Sequence, residues 1–196
     1  MKIPDIWKEK IIPHPVQNAL VSDKIRFKVV PAGRRSGKTW RAKRYLIRQA
    51  MRVSGRYFFG APTYAQAKEI FWADTKAYVP EWLKSKTHET TLTLYLKNKS
   101  EIHVVGLDKP ERVEGQPWTG AIVDEMGNCK PDIWDAHLSP LFDTIGIKTW
   151  CWFIGVPEGL NHYNDLNDYA LHSGDPEWKS YTWFSSDILP VAFKVR

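Results

Sequence analysis

Gly37, Lys38 and Thr39 lie between an apolar run, "RFKVVP" (26–31), and an arginine-rich stretch, "WRAKRYLIRQAMR" (40–52). With the residues before them they form Ala32-Gly33-Arg34-Arg35-Ser36-Gly37-Lys38-Thr39, which matches the phosphate-loop pattern except that Ala32 replaces its first glycine. Small residues allow successive backbone N–H groups to wrap a β-phosphate. Lys38 then reaches the β- and γ-oxygens, and the Thr39 hydroxyl binds Mg2+. A strand ahead of the loop and a helix behind it supply the context this chemistry needs.

Such a loop requires an acid on a neighbouring strand. "GAIVDE" (120–125) provides one: its apolar residues drive a strand into the core, and Asp124 emerges at the end, where it can hold the Mg2+ shell. Glu125 follows directly and can orient and polarise an attacking water, which points to hydrolysis rather than transfer to a second substrate. Upstream, the amide of Gln17 could pair with the donor and acceptor edge of adenine, favouring ATP; a plain surface glutamine is the alternative.

Arginines mark this loop out. A guanidinium at the γ-phosphate can contribute about 10³–10⁵ in rate. Arg34 or Arg35 could act from within the loop. Arg112, in "KPERVEGQPW" (109–118), could instead reach a neighbouring subunit's site, or simply pair with Glu111 or Glu114. Arg41, Arg44, Arg48 and Arg52 recur at helical spacing and could face DNA, the next subunit, or only water.

These residues need a scaffold, and the apolar patterning describes one. Strands are predicted at 26–31, 56–61, 120–125 and 149–155, with helices at 37–53, 64–78 and 161–172. Their alternation argues for an α/β fold: a mainly parallel central sheet with helices on both faces. "TLTLYLKNKSEIHVVG" (91–106) alternates with period two around Lys97–Ser100 and reads as a β-hairpin insertion. Of the tryptophans, Trp72, Trp150, Trp152 and Trp183 are expected in the core and Trp118 and Trp178 at the surface.

At 196 residues the chain suits one well-buried core. The net charge of +6 is unevenly laid out. Lys24 to Lys68 carries cations and no acid, whereas Asp124 to Glu177 has only Lys130 and Lys148 against many acids. A basic half suggests polyanions, and the two halves together suggest head-to-tail packing of copies. No stretch approaches the roughly 20 apolar residues that span a bilayer. Cys129 and Cys151 have no metal-like spacing and read as reduced thiols.

Taken together, "AGRRSGKT" (32–39), "RYFFGAPTYAQAKEIFW" (56–72), "RVEGQPWTGAIVDEM" (112–126) and "FIGVPEG" (153–159) resemble the ATPase domain of the large terminase subunit, the DNA-packaging motor of tailed bacteriophages. The resemblance implies an additional-strand P-loop NTPase fold, ATP and Mg2+ as cofactors, and translocation of double-stranded DNA. It implies as partners the portal protein, the small terminase subunit and copies of the chain in a ring, with a monomer expected in isolation. The implied location is the cytoplasm of the infected host, with transient docking on the procapsid and no membrane. Gly155, Val156 and Pro157 fall at the family's coupling motif, where Val156 replaces a usual Thr or Ser. The ATPase domain is expected over 1–190, with 191–196 a linker or truncated tail and the family's C-terminal nuclease absent.

Two other readings remain open. A helicase-like ATPase would separate strands on stacking aromatics. A nucleotide-stabilised ring or docking module would need no water-activating acid, and Glu125 argues against it.

Overall fold

The computed structural model describes residues 4–7, 14–143, 146 and 148–187; the expected tail at 191–196 lies outside them. In chain order the elements are α1 (Pro15–Ser22), β1 (Phe27–Pro31), α2 (Lys38–Arg52), β2 (Arg56–Ala61), α3 (Tyr64–Ala67), α4 (Ala73–Tyr78) and β3 (Lys84–His88). There follow β4 (Thr93–Leu96), β5 (Glu101–Gly106), β6 (Gly120–Val123), β7 (Trp150–Gly155), α5 (His162–His172) and β8 (Trp178–Ser180).

The strands form one eight-stranded sheet in the order β3-β4-β5-β2-β6-β7-β1-β8. From β5 to β8 every pairing is parallel; β3, β4 and β5 pair antiparallel. The hairpin thus does not stand apart from the sheet but extends it past β5. The strand between the loop-bearing β1 and the acid-bearing β6 is β7, the arrangement that an additional-strand fold requires.

Strand side chains alternate between two cores, one on each sheet face. Val30, Phe59, Ile122, Trp152 and Ile154 join Ala42, Leu46, Ile47 and Ala50 of α2 on one side. Val29, Phe58, Ala121, Val123, Cys151 and Phe153 pack on the other with Tyr163 and Leu166 of α5.

The expected helix at 64–78 is a broken rod. Thr63 accepts from the Gln66 N–H as its N-cap, and a π-helical turn (Lys68–Trp72) separates α3 from α4. β3 and β8 are two strands that apolar patterning does not predict. The first is a polar edge strand; the second has three residues. Trp118, expected at the surface, is only 2% exposed: its indole N–H donates to the Val113 carbonyl at 2.7 Å and its ring meets Phe58 edge-on. Trp178 is half-buried on β8, stacked against Phe153. Both cysteines are free and buried.

Candidate active site

Parallel strands point their C-terminal ends the same way, and it is there that open α/β sheets collect ligands. β1 delivers the loop 32–37, β6 delivers Asp124 and Glu125, and β7 delivers Gly155-Val156-Pro157 between them. The ends are tied together: the Ala32 N–H donates to the Gly155 carbonyl at 3.1 Å, and the Asp124 N–H to the Gly60 carbonyl at 2.9 Å. Gly155 is closely packed, since a Cβ there would lie 3.1 Å from the Tyr163 ring.

Gly37 ends the loop in the left-handed region, at φ 78, and serves as the N-cap of α2 without any side-chain cap. The first N–H groups of α2 are therefore turned toward the loop's hollow without a capping side chain. Arg35 also takes a left-handed φ, 57, an uncommon conformation for a residue with a Cβ. Lys38 is buried, and the Ser36 hydroxyl is buried with no protein partner. Buried cation, uncapped helix end and orphaned hydroxyl form a cradle suited to a phosphate chain.

Thr39 Oγ1 donates to Asp124 Oδ2 at 3.0 Å, while Asp124 Oδ1 accepts the Glu125 N–H at 2.9 Å. Asp124 is 2% exposed, and burial raises its carboxyl above the ordinary value; the Thr39 and Glu125 hydrogen bonds pull it back, and the Glu125 charge adds to the rise. A buried carboxylate held against a hydroxyl next to a phosphate cradle is a hard-oxygen set that fits Mg2+, which takes one or two protein oxygens plus phosphate and water. Glu125 adopts φ 51, ψ 43, so the chain turns sharply at the residue after the acid strand. Close by, burial pushes the Cys129 thiol up to about 12, with Asp124 and Glu125 adding to it, and makes it inert at neutral pH.

Several expected site residues stand elsewhere. Gln17 does not face open space. It is buried on α1, its Nε2 donating to the Ser36 carbonyl at 2.9 Å and its Oε1 accepting from Arg41 Nε at 2.9 Å. Both ends of the amide are thus engaged within the protein and tie the loop to α1 and α2. Arg41 and Arg44 likewise turn inward, at 6% and 9% exposure. Arg44 donates to the Ile6 carbonyl and lies over Trp7 and Trp40. These two are not surface groups; Arg48 is half-buried and Arg52 alone of the four is exposed. Arg34 and Arg35 are exposed, and Arg34 pairs with Glu158 at 3.0 Å, beside the expected coupling residues. Arg112 sits over the Tyr64 ring on the far side of β2, while Glu114 pairs with His137 at 2.6 Å.

Two contributors carry no motif. Trp183 forms a parallel bridge with Ala32, and its indole N–H donates to the Ser36 carbonyl at 3.0 Å. Lys28, inside β1, is fully buried; its Nζ donates to the carbonyls of Leu20 at 2.6 Å and Asp23 at 2.7 Å, capping α1 from beneath. A lysine within an apolar strand was the one available signal for the latter.

No protein-family model matches the sequence, and no curated protein matches it. Solved structures do. The ATPase domain of the large terminase from Thermus phage P74-26 is similar at a TM-score of 0.75 and 21% identity, over 93% of this chain and 86% of that one. The HK97 bacteriophage large terminase is similar at 0.71 and 16%, over 89% of this chain but 40% of its own length. A large terminase from a thermophilic bacteriophage matches in complex with ADP and with ATP-gamma-S, at TM-scores of 0.66 and 0.65 and identities of 13% and 15%. Each complex is matched over 88% and 89% of this chain, 46% and 45% of that one. The UvsW helicase from bacteriophage T4 follows at 0.56 and 11%, over 90% of this chain and 61% of that one. At such identities the likeness is one of fold. The chain has the fold of the ATPase domain of phage large terminases.

Proposed function

We propose that the chain hydrolyses ATP to drive double-stranded viral DNA into a procapsid, as the motor domain of a large-terminase-type protein. The observation that carries this reading is the Thr39–Asp124 hydrogen bond of 3.0 Å with Glu125 beside it, across a strand order that suits an additional-strand ATPase.

The loop backbone and Lys38 hold the β- and γ-phosphates. Thr39 and Asp124 hold Mg2+, which when bound neutralises developing charge on the phosphates. Glu125 takes the proton of a water whose oxygen attacks the γ-phosphorus, as the bond to the β–γ bridging oxygen breaks and ADP leaves. Arg34 or Arg35 in the same chain, or Arg112 from a neighbour, meets the charge on the γ-oxygens. Gly155-Val156-Pro157 pass the change at the loop to the rest of the domain; the backbone turn does this, because Val156 has no hydroxyl to offer. Arg52 remains available to DNA or the next subunit. The portal protein, the small terminase subunit and further copies in a ring complete the motor in the host cytoplasm.

A helicase-like activity is the second reading, favoured by the similarity to UvsW. One pair of assays separates them. A packaging-type motor gains ATP turnover with blunt double-stranded DNA and does not separate strands. Turnover stimulated only by single strands, with unwinding of a forked duplex, would favour the helicase reading.

A further inference from the structure

With Gln17 committed to the loop, the base of the nucleotide still needs a partner. The stretch after β8 lies against the same loop. Trp183 is fixed by its bridge to Ala32 and its indole bond to the Ser36 carbonyl at 3.0 Å. Ser185 Oγ donates to the Arg34 carbonyl, and a Cβ on Gly33 would fall 2.4 Å from Ser185 Oγ and 3.2 Å from the Ser185 backbone nitrogen, so the two segments are closely packed. Between these two anchors stands Phe184, 70% exposed. Its own backbone is pinned as well: the N–H donates to Asp187 Oδ2 at 2.8 Å, and the carbonyl accepts the Asp187 N–H at 3.1 Å. Single exposed aromatics are common on surfaces. This one is held on both sides by residues bonded to the phosphate loop, which gives it a fixed place at the loop's rim.

We propose that Phe184 is the stacking platform for the purine base of the nucleotide whose phosphates the loop holds. The proposal rests on the ATP reading above. A ring face stacks on any base and is tolerant of its hydrogen-bonding edge. Affinity at this position therefore follows the size of the π-face, purines above pyrimidines, with little separation of ATP from GTP.

The test is equilibrium binding of ATP, GTP, CTP and inorganic tripolyphosphate to the wild type, Phe184→Ala, Phe184→Trp and Lys38→Ala. Phe184→Ala is expected to weaken ATP and GTP on the order of tenfold or more, with tripolyphosphate unchanged and affinity restored in Phe184→Trp. ATP binding unchanged in Phe184→Ala, or ATP and tripolyphosphate weakened alike, would overturn the platform while leaving the phosphate site in place. Lys38→Ala binding every ligand as the wild type does would bring down the nucleotide reading itself.

Discussion

Thr39 Oγ1 and Asp124 Oδ2 meet at 3.0 Å, joining the phosphate loop after β1 to the acid strand β6 across the intervening β7. The contact holds a carboxylate in a dry place before any cation arrives. Since burial raises its pKa above the ordinary 3.8, ionised Asp124 costs the nucleotide-free fold stability. That stability is present below 3.8 and is lost as pH rises through the folded-state value. Asp124→Asn keeps both hydrogen bonds, with its Oδ1 accepting from Glu125 and its Nδ2 donating to Thr39. The expected outcome is a higher Tm at pH 7 without ligand, together with loss of Mg2+-dependent turnover. Calorimetry and a phosphate-release assay check the two halves.

Lys28 gives the opposite slope. Burial lowers its pKa from 10.5 to about 8, with Asp23 opposing the fall. Between those values the unfolded chain binds more protons, so stability rises with pH from about 8. The rise is cut off near pH 9, where Cys129 and Cys151, both raised by burial, begin to favour the unfolded chain, and Tyr45, Tyr57 and Tyr181 add to the reversal from pH 10. A depression of this size corresponds to about 3 kcal/mol. Urea melts across this window are expected to show the rise in the wild type and not in Lys28→Met.

Local motifs in the sequence were enough to locate the loop and the acid pair, because both are set by a few adjacent residues on a strand end. What the sequence concealed depends on distant partners. Arg41 and Arg44 share a helical face with Arg48 and Arg52, yet Gln17 on α1 and Trp7 and Trp40 cover the first two. Trp118 is buried because its own loop folds back to offer the Val113 carbonyl. β3, "KSKTH", has no apolar face to reveal it; it exists because β4 offers an open edge.

The Trp183 side chain braces the loop through its indole hydrogen bond to the Ser36 carbonyl. Trp183→Phe removes the donor and keeps most of the ring. With a net hydrogen bond worth about 1 kcal/mol, ATP affinity is expected to fall roughly fivefold. An unchanged dissociation constant would assign Trp183 to packing alone.

Arg112 lies in the connection from β5 to β6 and rests over the Tyr64 ring, with no contact to the chain's own phosphate loop among the described residues. We propose on this ground that Arg112 serves a neighbour's phosphates. ATP turnover per molecule is expected to rise with protein concentration in the wild type, and Arg112→Ala to flatten that rise. Turnover independent of concentration would return the task to Arg34 or Arg35.

The most direct measurement is steady-state ATP turnover with Mg2+ by the wild type, Glu125→Gln and Lys38→Ala, paired with ATP binding. Loss of the proposed water-activating carboxylate is expected to lower kcat by about 10²–10⁴-fold with ATP still bound, and loss of Lys38 to remove binding and turnover together. Glu125→Gln turning over ATP at the wild-type rate would contradict the assignment of this acid pair as a hydrolytic site.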